Sequence, residues 1–195
     1  MKKLVFKIIA IVVLSNIIVF ANSSSYNNDT KSLIGVEGSF SSFDVENDSA
    51  AALNDNVKYG SLGLKIGAQT DSYRLFLSAR YNVIDGYDYA YSLGIEAQYL
   101  LNVLPNANIF LGISSGYFDL SLKDSENDTR NFDSPYIGAD LGFNIHLNEK
   151  FDFEFGGRIL SLSDSKSIID KNNVTYIFDN IAALYVSIIY KYDMD

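Results

Sequence analysis

Cysteine and tryptophan are absent from this sequence of 195 residues, which also has one histidine and two prolines. Without cysteine the chain has no disulfide scaffold, thiolate zinc site, cysteine nucleophile or acylated N-terminal cysteine. With one histidine, a single chain cannot build a metal site from several histidines. Lys and Arg number 15 against 24 Asp and Glu, giving a formal net charge of −9. That balance excludes a protein that follows nucleic-acid phosphates, so we expect no nucleic-acid partner.

The first residues have the pattern of a secretory signal peptide. Three lysines precede an apolar run over residues 8–20, and an alanine follows the run at the cleavage position. The run has 13 residues, whereas a membrane-spanning helix needs about 20. We therefore predict a cleaved signal peptide over residues 1–21, a flexible periplasmic lead-in over 22–31 and a barrel over 32–195. Retention of the run as an anchor is the alternative.

Beyond this leader, apolar residues recur with a period of two in about eight segments separated by turn-forming residues. The predicted strands are 33–41, 59–69, 73–81, 89–101, 107–118, 136–147, 151–162 and 180–192. Pro105 and Pro135 are both expected outside strand interiors, because proline lacks the N–H that a ladder needs. The pattern predicts an all-β domain.

The two faces of these strands differ in composition. One face is apolar and carries no charge in the strand cores, as in Leu62, Leu64 and Ile66. The other face combines nine of the 13 glycines with isolated charges of both signs. A water-facing surface would be crowded with Lys, Glu and Thr, whereas small residues in a narrow lumen leave room for long charged side chains. The pattern favours a membrane barrel over a soluble one.

Aromatic residues and connection lengths support the same interpretation. Aromatic residues on the apolar face fall near both strand ends, as girdles at the two headgroup levels do; they are Tyr73, Tyr99, Phe151 and Tyr192 at one end, and Phe40, Tyr81, Tyr91 and Tyr117 at the other. Short and longer connections alternate along the chain. We therefore expect the short turns and both termini in the periplasm and acidic loops outside, with Asp44, Glu46, Asp48 and Asp55 in the first and Asp124, Glu126, Asp128 and Asp133 in the third.

These features resemble the small eight-stranded outer-membrane β-barrels of Gram-negative bacteria, such as the OmpA transmembrane domain, OmpX/Ail-type proteins and opacity-type surface proteins. The last strand, residues 182–192, resembles their aromatic-ended assembly signal, although Asp193-Met194-Asp195 follow the aromatic residue. The resemblance implies an eight-stranded antiparallel up-and-down transmembrane barrel in the cell outer membrane. It also implies a monomer that contacts outer-membrane lipid and lipopolysaccharide, and the barrel assembly machinery through its C-terminal strand.

The interior of an eight-stranded barrel is just wide enough for its own side chains, so its charges must be paired. If the residues 148–150 close a symmetric hairpin, Asp140 lies opposite Arg158 and His146 lies opposite Asp152. We predict a packed polar lumen rather than an ion pathway; its residues are Glu37, Lys65, Arg80, Glu96, Asp140, Arg158, His146 and Asp152.

Catalytic and metal-binding patterns are weak. His146 is the one available general base of its type, and the sequence Ile145-His146-Leu147 lacks the His-x-Ser arrangement of the lipid A deacylase barrels. The alternating acids from Asp124 to Asp128 do not fit a calcium loop, because Thr129 and Pro135 stand where glycine and glutamate are needed. We expect no catalytic residue, metal or cofactor.

The sequence therefore predicts a non-catalytic envelope protein that presents acidic loops for surface interaction or adhesion. Apolar residues in the last loop, flanked by charge, form the candidate site for a host or matrix ligand; they are Ile168, Ile169, Tyr176, Ile177 and Phe178. Alternatively, they extend the strands as a hairpin above the membrane. The other functional alternatives are a small porin-like channel, a lipid-modifying enzyme and a soluble periplasmic ligand-binding barrel.

Overall fold

The structure is a computed structural model that describes residues 30–47, 55–84, 87–123, 129–163, 166–169, 175–178 and 180–193. The predicted signal peptide, its cleavage position and residues 22–29 of the predicted lead-in lie outside the described residues. So do the loop acids Asp48, Asp124, Glu126 and Asp128.

Ten antiparallel strands form one sheet. Eight of them are long: β1 (Lys31–Asn47), β2 (Asp55–Gln69), β3 (Tyr73–Val83), β4 (Tyr87–Leu104), β5 (Ala107–Lys123), β6 (Thr129–His146), β7 (Phe151–Leu162) and β10 (Ile181–Tyr192). Two are short, β8 (Lys166–Ile169) and β9 (Thr175–Phe178). No helix in the described part of the chain has the length and apolar character that a membrane span needs.

The eight long strands close into a barrel. Each pairs with its neighbour in chain order, and β10 pairs with β1 from Ser32 opposite Tyr192 to Ser42 opposite Ala182. Closure leaves no open edge among the long strands where all eight run together, so their backbone N–H and C=O groups are paired within the barrel. An eight-stranded antiparallel up-and-down barrel is the fold that the alternation and the connection lengths predict.

The two ends of the barrel differ. At the turn end, residues 70–72, 105–106 and 147–150 join the strands, and both termini of the barrel lie here. Asn148 shapes the last of these turns, because its side-chain Oδ1 accepts the backbone N–H of Lys150 and of Phe151, each at 2.9 Å. At the loop end, the connections are longer on average and several strands continue past the level of the aromatic residues.

Those continuations are the main difference from the predicted strands. β1 runs to Asn47, β5 runs to Lys123 and β6 begins at Thr129, all beyond the predicted bounds. The alternating pattern fades there because polar residues occur on both faces, yet the hydrogen-bonded ladder persists. Much of what the sequence predicts as loop is therefore strand.

The prediction that Pro135 lies outside a strand is wrong. Pro135 lies within β6, although Pro105 does lie in a turn. The register of β6 with β7 starts at Tyr136 opposite Leu162, and the Pro135 carbonyl accepts the backbone N–H of Ser163 at 2.9 Å. The missing N–H thus falls where the ladder to β7 begins, and β6 accommodates the proline at that point.

Candidate functional site

The outward face of the barrel is an apolar band. Many large apolar side chains on this face are more than half exposed, for example Leu62 at 72%, Leu64 at 63% and Ile113 at 68%. The same strands bury their alternate residues in the lumen, as β3 and β7 show along their whole length. A surface of this kind around a closed barrel suits hydrocarbon, because exposed apolar patches of this extent are rare on soluble monomers.

Aromatic rings border the apolar band at two levels. At the turn end Tyr73 lies directly opposite Tyr99, and their ring centroids are 5.2 Å apart. Towards the loop end Tyr81 lies directly opposite Tyr91 on the same two strands. Both pairs point outward. An apolar stretch therefore lies between two levels of tyrosine rings whose hydroxyl groups can reach water, as expected at the headgroup levels of a bilayer.

Eight buried charged side chains lie together inside the barrel. Four are acidic and four are basic, and none exceeds 8% exposure. We call them the lumen network: Glu37, Glu96, Asp140, Glu154, Lys65, Arg74, Arg80 and Arg158. With the acids ionised, its formal charge is zero, which satisfies the requirement that buried charges be compensated.

Arg158 is a centre of this network. Its Nη1 lies 3.2 Å from Glu37 Oε1, its Nη2 lies 3.2 Å from Glu96 Oε1, and its Nε donates to Asp140. Asp140 is the cross-strand neighbour of Arg158 in the β6–β7 register. One guanidinium therefore joins carboxylates from β1, β4 and β6 to β7.

Lys65 makes the other set of links across the lumen. Its Nζ lies 2.6 Å from Glu37 Oε2, 3.4 Å from Glu96 Oε2 and 3.1 Å from Glu154 Oε1. Arg80 also pairs with Glu37, at 2.5 Å from its Nε, and with Glu96. Three of these five contacts join strands that are not neighbours in the sheet, so the network braces the barrel across its interior; they are Lys65 with Glu96, Lys65 with Glu154 and Arg80 with Glu37.

Two members of the network were not among the predicted lumen residues. Arg74 Nη1 lies 3.1 Å from Glu154 Oε2, joining β3 to β7. The sequence places both on the charged face, but residues 80 apart in the chain meet only after the barrel closes. Local spacing therefore gave no signal for this pair.

A smaller charged cluster lies at the turn end. Asp152 Oδ1 lies 2.8 Å from His146 Nδ1 and 2.5 Å from Lys191 Nζ, and Asn144 donates to Asp152 Oδ2 at 3.0 Å. Lys191, also absent from the predicted set, comes from β10. The cluster ties the last strand to the β6–β7 hairpin. His146 has a carboxylate beside it and no described serine contact, so no arrangement of base and serine nucleophile is seen here.

Apolar residues fill the lumen on both sides of the charges, a feature that the alternating pattern does not predict. At the loop end a buried cluster has ten members: Phe43, Tyr59, Ile84, Ala90, Phe118, Leu120, Phe132, Tyr136, Leu160 and Ile181. Two smaller clusters lie elsewhere in the lumen, Leu33 with Phe76 and Ile189, and Leu100 with Phe110 and Tyr185. The described part of the interior is thus a packed core with charges in its middle.

Inward glycines make room for this packing. A Cβ on Gly63 would meet Arg80 Cγ at 2.9 Å, so this glycine leaves space for a charged side chain. Others leave space for rings, since a Cβ on Gly116 would meet the Tyr136 hydroxyl and one on Gly142 would meet Phe110. Glycine beside an aromatic residue is the signal that could have predicted the apolar part of the lumen.

We expect Gly116→Ala to destabilise the barrel by about 1–3 kcal/mol, the usual cost of overpacking a filled core. The new methyl group would press on the Leu93 carbonyl as well as on Tyr136. Gly38→Ala is the matched control, because a Cβ there meets no described atom within 4 Å. Urea unfolding in lipid vesicles measures both. Equal stability of the two variants would contradict tight packing around Gly116.

The candidate loop residues lie in the short hairpin of β8 and β9. β9 pairs with the loop end of β1, placing Phe178 opposite Val45 and Tyr176 opposite Asn47, and β8 pairs with β9. The backbone thus matches an extension of the barrel above the apolar band. Among the described residues, no group of three or more His, Asp or Glu is placed to hold a metal ion.

Solved structures show what this architecture is. Neisserial surface protein A matches with a TM-score of 0.60 and 15% identity, over 82% of this chain and 97% of that one. The chain has the fold of the small outer-membrane β-barrels. Outer membrane protein H of Pseudomonas aeruginosa matches at 0.56 and 15% identity, over 83% of this chain and 99% of that one. OprG from the same organism matches with a TM-score of 0.54 and 15% identity, over 86% of this chain and 99% of that one.

Sequence comparisons give no closer relative. No protein-family model matches the chain, and no curated protein matches it either. At 15% identity the structural likeness establishes the fold alone. What this barrel does must be argued from its own residues.

Proposed function

We propose that this protein is a non-catalytic structural component of the outer membrane, secreted with a cleaved signal peptide, whose loop end presents acidic segments outward for surface interaction or adhesion. The observation that carries the proposal is the filled lumen inside an apolar band. A barrel with an apolar outer surface belongs in lipid. A lumen filled with side chains favours a function carried out by the loops over a function as a channel.

The porin-like alternative requires a hydrated path between the two ends. The lumen network and the loop-end apolar cluster occupy that path in the described part of the barrel. The enzyme alternative rests on His146, whose Nδ1 faces Asp152 at the turn end. Lipid A lies in the outer leaflet, at the opposite end under the proposed orientation, so neither alternative has a specific observation in its favour.

Gel mobility tests the membrane barrel. We expect the protein from the outer-membrane fraction to migrate differently in SDS before and after boiling, because a barrel without free long-strand edges stays folded in SDS until heated. A marker protein that is known to be soluble in the periplasm serves as the control for the fractionation. Recovery from the soluble periplasm without a heat-dependent shift would mean that the apolar face points inward and would overturn the proposal.

Replacing Tyr176, Ile177 and Phe178 with threonine tests adhesion. Threonine keeps the β-propensity of β9 while removing apolar surface, so the barrel should still show its heat-dependent shift. We expect cells that carry the variant to bind matrix-coated surfaces less than cells with the original protein. The same replacement at Val83, an exposed apolar residue of β3 outside this hairpin, is the control. Unchanged binding would contradict a role in adhesion and would mean that the hairpin only extends the barrel.

A further inference from the structure

Two grooves interrupt the apolar band on the side of the barrel where β10 meets β1. The first has a volume of about 520 Å³ and is bordered by Gly38 and Gly60; we call it the β1 groove. The second has a volume of about 730 Å³ and is bordered by Ala139 and Gly157; we call it the β7 groove. These four small residues lie on the outward face among large apolar side chains, which explains the two depressions.

Phe40 and Leu184 border both grooves and form a ridge between them. The two residues lie directly opposite each other in the β1–β10 register and are 58% and 60% exposed. Phe40 belongs to the aromatic level at the loop end, so the grooves reach the half of the apolar band that is nearer the loops. Two apolar grooves on either side of a narrow ridge suit flexible hydrocarbon chains better than one rigid surface.

One cation lies where the two grooves open towards the loop end. Lys58 is exposed on the outward face of β2, two residues beyond Gly60, which is about 7 Å of strand. Its cross-strand neighbour on β1 is Ser42, which borders the β7 groove. The aliphatic part of a lysine side chain can lie along apolar surface while its ammonium group stays at the headgroup level. A cation and a hydroxyl group are therefore available above the grooves.

We propose that this side of the barrel binds one molecule of lipid A, with acyl chains in the β1 and β7 grooves and a phosphate group at Lys58. The inference rests on the proposed membrane location and orientation, which put the grooves in the outer leaflet. Lipid A combines phosphate with several acyl chains, so one molecule satisfies both the cation and the two grooves. An ammonium group and a phosphate group form a charge-assisted hydrogen bond, which holds this lipid more tightly than an uncharged one.

The charges on the opposite side of the loop end disfavour the same lipid there. Asp119 and Asp133 lie directly opposite each other on the outward face of β5 and β6. Two neighbouring carboxylates repel a phosphate group. An anionic lipid is therefore favoured on the side of Lys58.

A second copy of the chain is a less favourable occupant of the grooves. In a two-fold contact the same surface of both copies meets, so the two Lys58 side chains would approach each other at the same level of the membrane. Like charges brought together at an interface oppose association. A phosphate group brings the opposite charge to the same place.

Native mass spectrometry of the purified barrel in detergent tests the proposal. The protein is titrated with lipid A and, separately, with the phosphate-free lipid that has the same acyl chains. Lys58→Gln removes the cation, and Lys150→Gln, in the exposed turn at the other end, is its control. Gly38→Leu and Gly157→Leu fill the grooves; a Cβ on Gly38 meets no described atom within 4 Å, and one on Gly157 has its nearest contact at 3.7 Å. The heat-dependent gel shift checks that each variant is folded.

We expect one lipid A molecule per barrel, bound more tightly than the phosphate-free lipid. Lys58→Gln should lower the affinity for lipid A about fivefold, which corresponds to about 1 kcal/mol for a lysine near an anionic lipid surface. It should leave the affinity for the phosphate-free lipid unchanged. The two leucine variants should bind both lipids more weakly, because the added side chains occupy the space for the acyl chains. Lys150→Gln should behave like the original protein.

Three results would overturn this inference while the proposed membrane location stands. Equal affinity of Lys58→Gln and the original protein for lipid A would mean that the lysine serves the acidic first loop instead of a phosphate group. Full binding by both leucine variants would place the lipid outside the grooves, and a dimer without bound lipid would make a second copy the occupant. If the original protein shows no heat-dependent shift and is recovered from the soluble periplasm, the proposed membrane location fails as well.

Discussion

Replacing Arg158 with methionine is expected to lower the free energy of unfolding by about 3–5 kcal/mol, the cost of breaking a buried ion pair by removing one partner. Arg158 faces Glu37 and Glu96 at 3.2 Å and also binds Asp140. Its removal leaves the lumen network with one uncompensated negative charge at 0–3% exposure. Urea unfolding in vesicles, monitored by the gel mobility of unboiled samples, measures this loss of stability.

Arg74→Met is the graded control. Among the described residues, Arg74 forms an ion pair with Glu154 alone, and Glu154 keeps its contact with Lys65 at 3.1 Å. The variant removes the same kind of side chain from the same lumen, so differences in volume and entropy largely cancel. We expect a smaller loss of stability than for Arg158→Met, because the orphaned carboxylate retains a cation.

A second substitution separates charge from packing. Combining Arg158→Met with Asp140→Asn restores equal numbers of acids and bases in the lumen network, and we expect it to recover part of the lost stability. If the lumen were hydrated, each ion pair would contribute only about 0–1 kcal/mol to the free energy of unfolding, as exposed ion pairs do. The double variant would then show no recovery of stability.

The strand pattern could be predicted from the sequence because each strand faces two different environments. Leu64 and Lys65 differ by one position, and Leu64 points outward while Lys65 points into the lumen, so alternation is strong wherever the apolar band surrounds the barrel. Above the band this contrast is lost. The extension of β1 to Asn47 therefore escaped prediction, since its backbone bonds leave no signal in hydropathy, whereas the β8–β9 hairpin is one of the two alternatives that the sequence offers for the last loop.

Pairs in the lumen were predictable only when a short turn fixes their register. Asp140 and Arg158 lie on strands joined by residues 147–150, so counting outward from the turn places them opposite each other. The contact of Lys65 with Glu154 depends on barrel closure, and it joins residues 89 apart. Counting from one turn cannot reach it, because the position of β2 relative to β7 depends on every intervening register.

The second large effect concerns the outside of the barrel, where Leu64→Arg is expected to cost about 2–4 kcal/mol, the penalty for arginine near the bilayer midplane. Leu64 is 63% exposed and lies between Leu62 and Ile66 on the outward face of β2. The cost arises from placing a cation in hydrocarbon, since the side chain has ample room. Urea unfolding in vesicles measures it.

Val83→Arg is the control for depth. Val83 is 60% exposed on the same face but lies two positions beyond the ring of Tyr81, at the loop end. An arginine there reaches the headgroups, so the expected cost falls to about 0–1 kcal/mol. The difference between the two variants also decides which face meets lipid. On a water-soluble barrel both positions would be hydrated, and the two substitutions would have equally small effects, which would overturn the membrane location itself.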